Sequence, residues 1–99
     1  MMHGHSLMIE FLDLDPNIKG KTLIEIGTTR EGLNGQDSSS YFYKISKERG
    51  ISFTTVDMDS ENTERIKDRF SDIDAICSKG EDFLQNFAGV INYLYIDAF

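Results

Sequence analysis

Tryptophan is missing from the chain, proline and cysteine occur once each (Pro16 and Cys77), and the two histidines, His3 and His5, both fall within the first five residues. A single cysteine excludes an intrachain disulfide. Two histidines at the chain start leave no Ser-His-Asp or Cys-His constellation around which a hydrolase could be built. Their His-x-His spacing could touch a metal, but two ligands on a tail make a poor site. Basic residues are scarce too, with 10 Lys and Arg against 17 Asp and Glu, a net charge of −7 and a pI of about 4.6. Phosphate backbones are gripped mainly by Lys and Arg, so no nucleic-acid partner is expected from these residues. No apolar run approaches the ~18 residues of a membrane span and no signal-peptide core is present; the expectation is a cytoplasmic chain without a membrane partner.

What the chain does have is 39% hydrophobic and 11% aromatic residues in 99, enough for one small domain that buries about 60–70% of its unfolded surface. Residues 1–5 read as a disordered tail and 6–99 as the domain. The informative run is Thr22-Leu23-Ile24-Glu25-Ile26-Gly27-Thr28-Thr29. An apolar β-type stretch there delivers an acid and then a glycine-bearing turn. Glycine allows backbone to approach a ligand closely, and the amides of the turn and of the next helix N-terminus favour electron-rich groups. About thirty residues on, Ile51 to Asp57 is a second β-type run ending in an acid, suitably placed to accept hydrogen bonds from ribose hydroxyls. A nucleoside cofactor follows from the pair; Asp57 as a helix cap is the alternative.

The remaining pattern alternates. Leu7, Met8, Phe11 and Leu12 recur at helical spacing, with Ser6 as cap and Asp15-Pro16 as the stop. The segment from Thr28 to Ser40 is longer than a usual βα connection of about 2–6 residues, and Asp37-Ser38-Ser39-Ser40 supplies a cap for a helix stopped by Gly50. Asp59 and Ser60 cap a third helix through Phe70. Ile73 to Cys77 reads as a third strand, with Cys77 a buried small hydrophobe. Gly80-Glu81-Asp82 opens a brief helix carrying Phe83, Leu84 and Phe87, in which the acids also suit the macrodipole. Val90 to Ile96 is apolar enough for a central parallel strand, and Asp97 ends it.

Taken in order, Glu25-Ile26-Gly27, Val56-Asp57-Met58-Asp59, Gly80-Glu81-Asp82 and Tyr95-Ile96-Asp97-Ala98 resemble the successive motifs of class I S-adenosylmethionine-dependent methyltransferases, nearest the small-molecule O-methyltransferases. The resemblance covers roughly residues 20 to 99. It implies that Glu25 orients the amino end of the methionine moiety, that Gly27, Thr28 and Thr29 wrap it with backbone, and that Asp57 holds the ribose. Thr29 stands where many members have a second glycine. It further implies that Met58 lies on the adenine and that Glu81 or Asp82 receives its amino group. In the metal-dependent branch the acid matching Asp97 binds a divalent ion such as Mg that orients a substrate hydroxyl; otherwise Asp97 only terminates its strand. The catalytic base is not identifiable.

The fold expected is α/β, a Rossmann-like open parallel sheet of order 3-2-1-4 with helices on both faces, truncated after the fourth strand. Gly27, Asp57, Glu81 and Asp97 then share the carboxyl rim, where such sheets bind ligands. The bare fourth strand calls for a missing C-terminal half or a homo-oligomer to cover it. Two other readings fit the same residues. An NAD-type oxidoreductase domain explains Asp57 equally well but lacks a full Gly-x-Gly-x-x-Gly, and a Rossmann-like assembly module needs no ligand.

Overall fold

The computed structural model describes residues 4–28 and 37–96. The chain runs α1 (Gly4–Asp13), β1 (Thr22–Ile26), α2 (Ser38–Arg49), β2 (Ser52–Asp57), α3 (Ser60–Arg69), β3 (Asp74–Cys77), α4 (Gly80–Asn86) and β4 (Tyr93–Ile96). All strand pairs are parallel and the order is β3-β2-β1-β4. This is the Rossmann-like open α/β sheet that the alternation of elements implied.

Side-chain alternation along the strands divides the core in two. Leu23, Phe53 and Ala75 face Leu12 of α1, Phe42 of α2 and Ile66 of α3 in one apolar cluster. Ile24, Ile26 and Val56 face the other way, against Phe83, Leu84, Phe87 and Ile91 of α4 and the segment after it. Helices α1, α2 and α3 therefore cover one face and α4 the other, as right-handed crossovers require when the strand order reverses beside β1. The helix stops are local chemistry: Asp37 caps α2 by accepting from the Ser40 amide, and Gly50 ends it at φ 70°, a conformation that glycine adopts without a Cβ penalty.

Several boundaries differ from the sequence expectation. Helix α1 starts at Gly4, ahead of the expected Ser6 cap, so Gly4 and His5 belong to it rather than to a tail; Met1 to His3 lie outside the described residues. His5 is buried, its ring 5.4 Å from that of Tyr41 and 6.4 Å from that of Phe42. The imidazole acts as a flat packing surface, which a count of ionisable groups hides. Of the four residues of the expected apolar stripe Leu12 is buried, whereas Leu7 and Phe11 are exposed.

Strand β4 starts at Tyr93 rather than Val90, because its partner β1 starts only at Thr22. Asn92 closes that end: its carbonyl Oδ1 accepts from the Thr22 amide at 2.9 Å, and its own amide donates to the Thr22 carbonyl. Cys77 is exposed rather than buried, since β3 ends there at the sheet's outer edge, and its thiol donates to the Met58 carbonyl. Among the described residues β4 pairs with β1 alone, and Leu94 and Ile96 are exposed. Asp15, in the connection after α1, ties that segment to the sheet through Lys21 Nζ at 2.7 Å and Tyr93 Oη at 2.6 Å.

Candidate functional site

The carboxyl rim of β1 and β2 is built first by Gly27. It has φ 99°, a region L side chains rarely adopt, and its amide donates to the Val56 carbonyl at 2.7 Å. The turn is thereby held against the end of β2. Thr28 follows, 1% exposed, with Oγ1 2.8 Å from Thr55 Oγ1. Thr29 lies outside the described residues.

Glu25 is wholly buried, and both of its carboxylate oxygens are taken. Ser38 Oγ donates to Oε2 at 2.5 Å, while Ser39 Oγ at 2.6 Å and Thr55 Oγ1 at 2.7 Å donate to Oε1. When Glu25 is ionised, Thr55 gives it its one hydroxyl proton, so Thr28 is then the donor in the Thr28–Thr55 bond. A relay thus runs from the glycine turn to the buried acid. Burial pushes the Glu25 pKa up to about 7; the three hydroxyls oppose that, and the charge of Asp37 adds to it. The acid fastens the first turn of α2 to β1 and β2, a role distinct from direct contact with a ligand.

Asp57 behaves differently. It ends β2, one register step beyond the Ile26–Val56 pair, and is 5% exposed. Its Oδ1 accepts from the Asp59 amide at 2.8 Å. Its Oδ2 is shut from solvent without a hydrogen-bond partner among the described residues, an arrangement that costs folding free energy unless something completes it. Asp59 serves as the α3 cap, accepting from the Glu61 amide at 2.9 Å, so the two acids divide the work between rim and cap.

A second oxygen at this rim has the same property. Asp37 accepts the Ser40 amide at 3.0 Å and the Ser40 hydroxyl at 2.9 Å, both on Oδ2, leaving Oδ1 buried and without a partner among the described residues. The sequence marked Asp37 only as a cap. Nothing in a one-dimensional pattern tells which of two carboxylate oxygens a cap uses.

The other anticipated residues are less enclosed. Met58 is 68% exposed. Glu81 and Asp82 are exposed in the first turn of α4. Gly80 brings that turn close to β1, since a Cβ there would lie 2.6 Å from Ile26 Cγ2. Asp97 is outside the described residues, and among those described no three His, Cys, Asp or Glu side chains group to hold a metal. Thr55, Ser38 and Ser39 were not anticipated as a polar cluster. Their signal was a threonine paired in register with Glu25 at a position where a buried strand would otherwise carry an aliphatic residue.

A cleft of about 290 Å³ opens at the opposite, amino end of β2 and β3, lined by Tyr43, Ser46, Lys47, Phe53, Asp72 and Ile73 among others. Its polar groups answer one another: Tyr43 Oη donates to Asp72 Oδ1, Lys47 pairs with the other oxygen, and Ser46 Oγ donates to the Tyr43 carbonyl. Lys47 and Tyr43 hold the Asp72 carboxyl below its usual range. The carboxyl rim, where two acceptors lack donors among the described residues, is the stronger candidate for a ligand. No described helix is long and apolar enough to cross a membrane. Comparison of the chain with protein-family models, curated proteins and solved structures finds no match.

Proposed function

We propose that this chain is the cofactor-binding portion of an S-adenosylmethionine-dependent methyltransferase acting on a small-molecule hydroxyl. The observation that carries this reading is Asp57: a buried carboxylate ending β2, with one oxygen lacking a donor among the described residues, beside a positive-φ glycine turn ending β1. A ribose hydroxyl is the donor this position would suit. Gly27 and Thr28 would offer backbone to the amino-acid moiety. When bound, the cofactor supplies an electrophilic methyl group on a sulfonium. What such a transfer asks of a protein is in-line positioning in a dry, polar-lined site, and a rigid relay from Thr28 through Thr55 to Glu25 serves the first of these. Cytoplasmic localisation and cover of β4 by a second copy or further chain belong to the same proposal, as does a divalent ion at Asp97.

Asp57 favours a nucleoside ligand without distinguishing S-adenosylmethionine from NAD, so the oxidoreductase reading is kept as the second. Calorimetric titration with S-adenosylhomocysteine and with NAD, on the wild type and on Asp57→Ala, separates them. Adenosylhomocysteine binding that is lost in the variant is the expected result. Binding of NAD alone would replace the methyltransferase reading with the oxidoreductase one, and binding of neither would leave an assembly module.

A further inference from the structure

The family resemblance assigns the ligand's amino end to Glu25, yet the geometry leaves that residue no exposed oxygen. Both oxygens of Glu25 accept hydroxyl protons in a fully buried cluster. Although Oε2, with one donor, keeps a second acceptor position, an ammonium group could reach it only by parting the buried cluster in which Ser38, Ser39 and Thr55 tie the carboxylate to α2 and β2. The unfilled acceptor lies next door. Asp37 immediately precedes the two serines that bind Glu25, so its carboxylate sits at the carboxyl end of β1, where α2 begins. Its Oδ2 is saturated by Ser40, and its Oδ1 is buried and unpaired among the described residues.

The second unfilled oxygen, Asp57 Oδ2, belongs to a side chain 95% withdrawn from solvent at the end of the adjacent strand. Two acceptors without donors among the described residues on one rim suit a ligand with two separate donor groups. A nucleoside bearing an amino-acid tail has this form, with a diol at one end and a primary ammonium at the other. The ammonium suits Asp37, whose described side-chain partners are the amide and hydroxyl of one serine and include no cation. A carboxylate oxygen shut from solvent, as Asp37 Oδ1 is, is stabilised strongly by a charged donor.

We infer that Asp37 Oδ1, rather than Glu25, receives the primary ammonium of the ligand's amino-acid moiety, and that Glu25 is a positioning residue that fixes the α2 turn carrying Asp37. This rests on the nucleoside-cofactor reading above. It goes beyond that reading in separating the two acids by role.

The test pairs two probes on the 99-residue chain. S-adenosylhomocysteine carries the ammonium, and 5′-methylthioadenosine keeps the nucleoside but lacks the amino-acid tail. Asn is about as good an N-cap as Asp, so Asp37→Asn preserves the Ser40 bonds while removing the charge, and circular dichroism checks that it folds. The expected result is a loss of at least tenfold in adenosylhomocysteine affinity with methylthioadenosine affinity kept within twofold. Adenosylhomocysteine affinity unchanged in Asp37→Asn would overturn the assignment while leaving the cofactor reading intact. Equal loss of both probes would also overturn it, because a general disturbance of the rim does not distinguish the tail. Should the wild type bind neither probe, the cofactor reading itself fails and the assignment fails with it.

Discussion

Thr55 of β2 stands in register with Glu25 of β1 and gives its hydroxyl proton to Glu25 Oε1 at 2.7 Å while accepting from Thr28. One hydroxyl thereby joins the glycine turn, two strands and the only wholly buried acid among the described residues.

Thr55→Val removes that junction without changing shape much. It leaves Thr28 Oγ1 without its acceptor and Glu25 with two donors in place of three. Leaving buried polar groups unsatisfied costs about 1–3 kcal/mol, so urea unfolding at pH 7 should show a loss of that size. Loss of a donor to the carboxylate also raises the Glu25 pKa further. A change below about 0.5 kcal/mol would mean that the hydroxyl chain contributes nothing net.

Glu25 predicts how stability responds to pH. Its carboxyl goes from its ordinary value of 4.5 to about 7 in the fold, so the folded state holds more protons than the unfolded one between those values. The contribution to stability is full below about 4.5 and falls as pH rises through 7, by an amount on the order of 3 kcal/mol for a shift of this size. Glu25→Gln keeps an acceptor and has no charge to bury. Urea midpoints for the two proteins should diverge from pH 5 to 8, with the wild type falling relative to the variant. Parallel curves would show that Glu25 ionises near its ordinary value.

Gly80 is a packing glycine. A Cβ at this position meets Ile26 Cγ2 at 2.6 Å, and a branched carbon on a central strand cannot swing away as the end of a flexible chain could. Gly80→Ala should cost about 1–3 kcal/mol, the usual range for overpacking. In an Ile26→Ala background the same substitution should cost much less, and a double-mutant cycle reads that coupling directly. Additive costs would place the difficulty in the helix backbone instead.

The sheet was legible because its chemistry is periodic. Thr22 to Ile26 and Ser52 to Asp57 are β-type runs closed by turn residues, and Gly50 and Asp59 punctuate the helices between them. The alternation implied a parallel sheet with right-handed crossovers, whereas the order 3-2-1-4 was the arrangement expected of the Rossmann-like fold. Less legible was anything decided by which face a residue turns to. Leu7 and Leu12 belong to the same apolar stripe on paper, yet only Leu12 is buried, and Cys77 looked like core because β3's place at the sheet edge is a tertiary fact. The rim was half legible. Gly27 and Asp57 stood out by position, but the occupation of Glu25 by three hydroxyls and the vacant oxygen of Asp37 depend on how the α2 turn folds back on the strands.

Asp57 carries the last prediction, in which stability and binding move in opposite directions. As a mere helix-entry residue, accepting from the Asp59 amide, it would stabilise the fold, and any substitution would cost stability without touching ligand affinity. As a ligand acceptor it holds a buried carboxylate oxygen without a donor among the described residues, which disfavours the folded protein until a ligand completes it. Sites of this kind trade stability for function. Asp57→Asn keeps Oδ1 for the Asp59 amide and removes the buried charge. Its melting temperature without ligand should equal or exceed that of the wild type by a few degrees, about 1 kcal/mol in a chain of this length. Its affinity for S-adenosylhomocysteine should fall at least tenfold. A variant that melts lower and still binds as the wild type does would reduce Asp57 to a cap.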